Sequence, residues 1–557
     1  MIFIHNYSPR YTKKLIELGI AQKGDGFKLT QHYATPGEMC FNEIAKVGSE
    51  MHEIIKDYAS CFYIDRLQGG TFYSEYPYNR ELLCKYEELC DFLGFQLHEL
   101  GTTRMLDWNR INNQLAACGF EKNEENIIEA VRRVSANQTY LHFSQGTPRE
   151  YAKKDAPTTL KEAFRDVRSV IDNCIERTNG KVFNCDAGTM LAAIDRDLPL
   201  SFIEVGCQTL YSRVQYALRR GASRSDKGKW GAYLEPWAHM SNGTTCYCFM
   251  KDGSNEWYIN GERCAYNHDG ERGGSSMSYA KRIMYYSLFT GADYFAEEWG
   301  QSNTFYDFES FELSPYGKIK KEFCDFLHGF GTVNPIVPVA IIIPREYSVF
   351  NTHCRSFPYT DLLDDTDGAR RIETAKRIVS LFYNGKILGE NTARNECDLG
   401  SEDKYLTVGD YGSIFDIIFE DSYESPENEY ELVIDLSGKK LGSSRTVDGW
   451  NIEETKKAID NIITEKLPVQ FESNLPIDYC FFESDGARFC AVFNHCGVSK
   501  DLESGESVNP LSTNTVTAHL KDDKIKKIHN ICSCNVSATG NKISATLGGG
   551  EFILFNF

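Results

Sequence analysis

The hydrophobic and polar positions of the chain repeat one unit through the first 330 residues. A short apolar run, rich in β-branched and aromatic residues, is followed by a polar turn and then by a stretch with helical periodicity. Strands that alternate with helices are typical of a parallel sheet. The strand-like runs cover residues 2–6, 27–33, 61–67, 95–100, 182–186, 200–208, 230–237 and 292–298. Eight parallel strands are the number that closes a (β/α)8 barrel.

An open, doubly wound sheet is the alternative arrangement for such a pattern. That fold usually carries a glycine-rich phosphate turn after its first strand. In this chain the first turn is Tyr7-Ser8-Pro9-Arg10, which contains no G-x-G-x-x-G motif. The closed barrel is therefore the predicted architecture of residues 1–332.

Two further changes of pattern follow the barrel. Residues 333–467 again alternate strand and helix, with an apolar strand at 339–343, which predicts a flavodoxin-like α/β domain. Residues 468–557 contain short strands separated by turns, with no helical stretch between them, which predicts a small β-sandwich. The predicted fold class is thus α/β: a TIM barrel, then a flavodoxin-like domain, then a C-terminal sandwich.

Charge and cysteine content narrow the function classes. With 60 Lys and Arg against 79 Asp and Glu, the net charge is −19, and such a chain repels nucleic-acid phosphates. No apolar run approaches the ~18 residues of a membrane span. The N-terminus has no basic region followed by an apolar one, and the 19 cysteines are an odd number. We therefore expect reduced thiols, a cytoplasmic location, and neither nucleic acid nor membrane as a partner.

Candidate chemistry gathers where the predicted strands end. In a (β/α)8 barrel the reactive groups lie at the C-terminal ends of the strands. The candidate residues there are Tyr33, Asp65, Arg66, His98, Glu99, Glu204, Glu235, Trp237, Glu297, Glu298 and Trp299. Carboxylates beside aromatic side chains suit glycoside hydrolysis, which needs one carboxylic acid to protonate the leaving oxygen and a second carboxylate as nucleophile or base.

Glu99 and Glu235 are the favoured catalytic pair. They follow predicted strands four and seven, which lie three steps apart around the ring, so their side chains can meet over the pore. Alternatives remain open, because Glu99 could cap the next helix or pair with Arg104. Glu297 and Glu298 are rivals, since side chains alternate along a strand and one of the two must face the pore.

Two other barrel chemistries fit the sequence less well. Metal-dependent hydrolases usually carry a His-x-His pair on strand one, where this chain offers only His5. Phosphate-binding barrels need glycine-rich loops after strands seven and eight. These positions hold Pro236-Trp237 and Trp299-Gly300 instead. We expect neither a metal nor an organic cofactor.

Glutamates after strands four and seven resemble the catalytic pair of the 4/7 superfamily of retaining glycosidases. The order of the three domains is similar to that of family 42 β-galactosidases, and residues 312–318 resemble a segment that such enzymes carry after strand eight. His98 precedes Glu99, where members of the clan typically carry asparagine. The resemblance therefore implies a divergent family.

The resemblance implies a double-displacement mechanism, with Glu99 as acid and base and Glu235 as nucleophile. Tyr33, Trp237 and Trp299 would stack on the sugar ring. The residues expected to bind hydroxyl groups are Asp65, Arg66, His98, Glu204, Glu297 and Glu298. The implied activity is exo-acting hydrolysis of short oligosaccharides, β-galactosidase-like or by a related β-glycosidase, in a homo-oligomer that is a trimer by analogy. The alternatives are an inverting glycosidase that uses a strand-eight glutamate and a non-catalytic carbohydrate-binding barrel.

Overall fold

The computed structural model of the chain describes three regions of regular structure. The described residues are 1–30, 41, 45–65, 79–98, 100–135, 148–186, 198–206, 212–236, 238–239, 245–248, 258–259, 262–263, 267–269, 275–298, 300–348, 366–382, 411–422, 429–438, 444–495, 497–501 and 505–557.

Eight parallel strands close a barrel, which confirms the predicted (β/α)8 fold. Its strands are β1 (Ile2–Asn6), β2 (Gly26–Thr30), β3 (Cys61–Asp65), β4 (Asp91–His98), β5 (Val182–Asp186), β6 (Leu200–Gly206), β7 (Lys229–Glu235) and, after an insertion, β13 (Tyr294–Glu297). The insertion carries short strands that the sequence pattern did not predict: β8 (Ala238–His239), β9 (Thr245–Cys248), β10 (Tyr258–Ile259), β11 (Glu262–Arg263) and β12 (Asn267–Asp269). The eighth barrel strand closes the ring on β1.

Helices surround the barrel, and polar caps begin several of them. They are α1 (Pro9–Glu17), α2 (Glu50–Tyr58), α3 (Arg80–Glu87), α4 (Leu100–Cys118), α5 (Glu124–Ser135), α6 (Pro148–Lys153), α7 (Leu160–Thr178), α8 (Ser212–Asp226), α9 (Met277–Phe289), α10 (Gly300–Thr304) and α11 (Pro315–His328). Thr159 and Glu162 form a capping box at α7, and Ser314 accepts from the Gly317 N–H at α11. Among the helices described, none is long and apolar enough to cross a bilayer.

The fourth barrel strand begins earlier than the sequence pattern predicts. The pattern predicts a strand from residue 95, whereas the preceding helix ends at Glu87 and the strand starts at Asp91. Gly94 adopts φ +122° within this strand, and the pairing with β3 shifts there. Phe92 and Phe95 consequently both pack in the core between strands and helices. The irregularity breaks the period-two alternation on which the prediction rested.

Alternate residues of the barrel strands point inward and fill the pore. Ile4, Tyr63, Phe202, Tyr233 and Tyr294 belong to one buried cluster inside the barrel. The residues between them pack against the surrounding helices. This alternation continues to the C-terminal ends of the strands, where it decides which polar side chains face the pore.

A second α/β unit follows the barrel. After β14 (Asn334–Ile336), its elements are β15 (Val339–Ile343), a 3-10 turn (Arg345–Ser348), α12 (Thr366–Phe382), β16 (Phe415–Phe419), β17 (Leu432–Asp435), β18 (Thr446–Asp448) and α13 (Ile452–Glu465). The four strands after β14 are parallel, in the order β16-β15-β17-β18. This is the start of the flavodoxin-like strand order.

The C-terminal region is antiparallel. Its strands are β19 (Val469–Ser473), β20 (Asp478–Ser484), β21 (Ala487–Phe493), β22 (Val498–Asp501), β23 (Gly505–Val508), β24 (Asn514–Leu520), β25 (Lys527–His529), β26 (Asn535–Thr539), β27 (Lys542–Leu547) and β28 (Phe552–Asn556). They form the sheets β14-β20-β21-β28-β25 and β19-β24-β27-β26 and the β22–β23 hairpin. Strand β14 lies within the predicted second domain, but it pairs with β20 of this last region.

The five-stranded sheet packs on the barrel as well as on its partner sheet. The ring of Phe482 stacks on Phe289 of α9 at 5.3 Å, and Phe552 lies 5.1 Å from Tyr285 on the same helix. The opposite face of the sheet shares a core with the four-stranded sheet, including Val492 and Val516. Aromatic contacts thus attach the C-terminal region to the barrel.

Gly221 allows α8 to approach the parallel sheet of the second unit. A Cβ atom there would lie 2.1 Å from the carbonyl oxygen of Ile417 on β16. We expect Gly221→Ala to lower the free energy of unfolding by about 1–3 kcal/mol, because backbone atoms must move to make room. Urea unfolding measures the change. Gly228→Ala is the control, since its Cβ has no neighbour closer than 3.5 Å; equal losses in both variants would contradict the explanation.

The buried carboxyl group of Asp25 makes the stability of the fold depend on pH in the acidic range. It accepts hydrogen bonds from His5 at 3.2 Å and His328 at 3.1 Å. Burial alone would raise the pKa of Asp25, but the bonds from His328 and His5 outweigh burial and hold the pKa at about 2. A carboxyl whose folded pKa is lowered stabilises the fold above its unfolded pKa of about 3.9, and this stability is lost as the pH falls towards 2.

The variant Asp25→Asn is therefore expected to flatten the pH dependence of stability between about pH 4 and pH 2. The wild type should lose roughly 2 kcal/mol more than the variant over this interval. Urea unfolding at a series of pH values measures both slopes. Identical slopes in the two proteins would show that Asp25 does not carry this acid sensitivity.

Candidate active site

Three buried carboxylates meet at the C-terminal end of the barrel. Glu204 lies on β6, Glu235 ends β7, and Glu298 directly follows β13. Each continues the inward series of its strand beyond the pore core. One carboxylate oxygen from each residue lies within 4.8 Å of those from the other two, and none of the three residues is more than 3% exposed. We call these residues the carboxylate cluster.

The spacing of the carboxylate cluster has an electrostatic consequence. Three negative charges at this separation in a water-poor environment repel one another strongly. A shared proton or a bound cation would relieve this repulsion. Among the described residues, it is the group whose spacing could ligate a metal ion, and its oxygen donors suit a hard divalent cation. The same arrangement suits an enzyme that needs neighbouring carboxyl groups in different protonation states.

A buried lysine lies beside the cluster. Lys28 on β2 donates a hydrogen bond of 2.9 Å to the hydroxyl of Tyr233, and its Nζ lies 3.5 Å from Asp65. Burial, and then the charges of Glu298 and Asp65, raise the pKa of the Tyr233 phenol well above its ordinary value. The phenol is therefore neutral, and Lys28 is held by the phenol and one carboxylate.

Cys185, on β5 inside the barrel, also experiences the negative electrostatic potential of the pocket. Burial raises the pKa of the Cys185 thiol well above its ordinary value, and the charges of Asp186, Glu298 and Glu235 add to that effect. Cys185 is therefore a neutral thiol rather than a nucleophilic thiolate. Among the described residues of the pocket, the carboxylates are therefore the groups suited to nucleophilic and acid–base chemistry.

Strand register places four polar residues on one level of the rim. Asn6 pairs with Lys28 across β1 and β2. The registers of β1 with β13 and of β13 with β7, continued to the strand ends, bring Asn6, Glu298 and Glu235 to the same level. Asn6 accepts a hydrogen bond of 3.2 Å from the Gly300 N–H through Oδ1. These residues form one arc of the pocket wall.

Glu297 faces away from the pore. It forms a buried ion pair with Lys320 of α11 and accepts a hydrogen bond from Tyr316. Burial by itself would lower the pKa of Lys320, but the charges of Glu297 and Tyr11 raise it well above its ordinary value. The alternation between Glu297 and Glu298 is thus resolved in favour of Glu298. The expectation that Glu297 contacts substrate does not fit this placement.

Several predicted site residues lie outside the described residues. They are Tyr33, Arg66, Glu99, Trp237 and Trp299. His98 ends β4, but its side chain is not described. The Glu99–Glu235 pair accordingly stays a prediction. Asp65, Glu204, Glu235 and Glu298 are the predicted residues that the structure brings to the pore.

Asn6 and Lys28 are pocket residues that the sequence reasoning did not select. Both occupy inward positions of strands whose other inward residues are small or apolar, such as Ile4 and Gly26. A polar residue in the inward series of a buried strand is the signal that could have identified them.

Comparisons with known proteins identify no family for the chain. No protein-family model matches it, and no curated protein is similar to it.

Solved structures resemble the chain over almost its full length. Gan42B, a family 42 β-galactosidase from G. stearothermophilus, is 7% identical with a TM-score of 0.47, and the match covers 100% of this chain and 98% of that one. A β-galactosidase from Halorubrum lacusprofundi is 10% identical, with a TM-score of 0.42 and coverage of 100% and 99%. An α-L-fucosidase from Paenibacillus thiaminolyticus is 10% identical, with a TM-score of 0.41 and coverage of 100% and 99%.

Proposed function

We propose that the protein is a glycoside hydrolase that cleaves neutral sugars by double displacement, with Glu235 as the nucleophile. The observation that carries this proposal is the meeting of Glu204, Glu235 and Glu298 at the C-terminal end of a closed barrel. Buried carboxyl groups at that rim supply the acid, base and nucleophile that glycoside hydrolysis requires.

Glu235 is the preferred nucleophile because its strand lies between those of the two other glutamates. A proton held by Glu204 on the neighbouring strand reduces the repulsion and allows a hydrogen bond to the Glu235 carboxylate. That bond orients the attacking oxygen while Glu235 itself keeps its negative charge. Glu204 and Glu298 are thus suited to position the nucleophile and to bind sugar hydroxyl groups.

In the proposed reaction, the Glu235 carboxylate attacks the anomeric carbon as the bond to the leaving oxygen breaks. Glu99 gives its proton to that oxygen, and a glycosyl ester forms on Glu235. Glu99 then removes a proton from water, and the water oxygen displaces Glu235 from the anomeric carbon. Glu99 is proposed for this role because it follows His98, the last residue of β4, and because of the resemblance described above.

The spacing within the cluster favours retention over an inverting reaction between its own members. An inverting pair stands ~6.5–9.5 Å apart, which leaves room for water between the carboxyl groups, whereas a retaining pair stands ~5–5.5 Å apart. The cluster oxygens lie within 4.8 Å of one another. This spacing supports the proposal that Glu298 and Glu235 do not act as an inverting pair.

The charge of the pocket favours neutral substrates. The positive charge of Lys28 lies beside the negative charge of Asp65, and the carboxylate cluster adds further negative charge to the pocket. A sugar carboxylate would be repelled there. We therefore propose exo-acting hydrolysis of short, neutral oligosaccharides; the β-galactosidase-like specificity, the cytoplasmic location and the trimeric assembly rest on the family resemblance alone.

A panel of aryl glycosides tests the proposal. We expect at least one neutral glycoside to be hydrolysed, with an initial product of the same anomeric configuration as the substrate, as read by NMR. The matching aryl hexuronide should be cleaved at least about 100-fold more slowly, since like-charge contacts cost several kcal/mol. An inverted first product would contradict double displacement. Sugar binding without cleavage of any member would support the carbohydrate-binding alternative instead.

A further inference from the structure

Asn6 has an unused donor at the rim of the barrel. The residue is 2% exposed, and its Oδ1 accepts from the Gly300 N–H at 3.2 Å. Among the described residues, its Nδ2 has no hydrogen-bond partner. A buried amide donor without a partner is unfavourable, so its presence calls for an explanation such as a ligand.

The location of Asn6 indicates what that ligand meets. Asn6 continues the inward series of β1 after Ile4, which lies in the pore core. Its neighbours at the same level are Lys28 on one side and Glu298 on the other, and Glu235 follows one strand further on. The free donor thus lies next to a carboxylate, one strand away from the proposed nucleophile.

We propose that Asn6 and Glu298 together bind one hydroxyl group of the sugar that reacts with Glu235. The Nδ2–H of Asn6 donates to the hydroxyl oxygen, and the hydroxyl hydrogen is donated to the Glu298 carboxylate. This inference rests on the proposed glycosidase function and adds a determinant of sugar specificity to it.

The chemistry of the pair favours a hydroxyl group over other ligand classes. A metal cation would be attracted by Glu298 but repelled by the amide hydrogens of Asn6. An anionic group would be attracted by the amide but repelled by the carboxylate cluster. A hydroxyl group is both donor and acceptor, so it satisfies both partners at once. A site built in this way rejects an analogue that lacks the hydroxyl, because Asn6 Nδ2 is then left unpaired again.

Monodeoxy substrates provide the test. The kcat/KM values of wild type and Asn6→Ala are compared on the best aryl glycoside of the panel and on its deoxy derivatives, each lacking one hydroxyl of the reacting sugar. Removal of the contacted hydroxyl should lower the wild-type value at least tenfold, and Asn6→Ala should shrink this preference by about tenfold at that position alone. Glu298→Gln should reduce the same preference.

Two further variants separate recognition from structural damage. Asn6→Asp keeps an acceptor for the Gly300 N–H but lacks the donor, so the preference should also fall in this variant. Thr304→Val removes the hydrogen bonds of Thr304 to Gly300 and Tyr11 and leaves Asn6 intact. This control should lower kcat/KM equally for all substrates or not at all, so the preference for the contacted hydroxyl should be unchanged.

The outcomes distinguish the two proposals. A wild type that cleaves no glycoside would overturn the proposed function, and this inference with it. A wild type that is active, with hydroxyl preferences equal within twofold in Asn6→Ala and Asn6→Asp, would overturn the role of Asn6 alone.

Discussion

Replacing Glu235 with glutamine is expected to lower kcat/KM on the best aryl glycoside by roughly 10⁴-fold, because the amide cannot form the glycosyl ester. The fold should be unaffected. Glutamine has nearly the same shape, and its neutral side chain removes one of three mutually repelling charges in the carboxylate cluster. The melting temperature of Glu235→Gln should therefore equal or exceed that of the wild type.

Matched variants separate this loss from a general effect of removing charge. Glu309→Gln makes the same change at an exposed position and should keep full activity. Glu235→Gly opens space for a small anion, so added azide should restore turnover and give a glycosyl azide of inverted configuration. Activity of Glu235→Gln within tenfold of the wild type, or a failure of azide to restore turnover in Glu235→Gly, would assign the nucleophile to another residue.

The substitution Lys320→Met is expected to have the largest effect on stability, about 3–5 kcal/mol, because it leaves a buried charge unpaired. Lys320 pairs with Glu297 and donates to Tyr11 at 2.8 Å, and both charged side chains are fully buried. The pair joins β13 to α11 behind the pocket wall. Unfolding in urea at neutral pH measures the loss.

The double variant Lys320→Met/Glu297→Gln serves as the control. It removes the orphaned charge and leaves an amide that can still bond to Tyr316, so it should recover more than half of the stability lost in Lys320→Met. A double variant no more stable than the single one would show that packing, rather than charge, holds α11 on the barrel.

The alternation of apolar strand-like runs with helical stretches was sufficient to predict the barrel. Each predicted barrel strand overlaps an observed one, because inward and outward residues both bury apolar surface in a (β/α)8 ring. The prediction was wrong where backbone geometry overrides the pattern. Gly94 shifts the register of β4. The strands between Ala238 and Asp269 are two to four residues long, which is too short to show a hydrophobic period in the sequence.

The sequence was sufficient to predict which acidic residues lie at the pocket, but not which contacts they and their neighbours make. Strand ends identified Glu204, Glu235 and Glu298, since their position along each strand follows from the fold class. Which of Glu297 and Glu298 faces the pore depends on which residues of the strand point inward. An error of one residue in that assignment exchanges the two glutamates. Lys28 was missed because its partner, Tyr233, is far away in the sequence and meets it only when the ring closes.

The pairing of β14 with β20 has a consequence for synthesis on the ribosome. The strand that leaves the barrel finds its partner only after the whole parallel unit between them has emerged, since Ile336 is aligned with Phe481. At ~5–20 residues per second, the nascent barrel waits roughly 7–30 seconds with this strand edge and the aromatic face of α9 uncovered. Chain elongation therefore passes through a stage at which the nascent chain is open to chaperones and to aggregation.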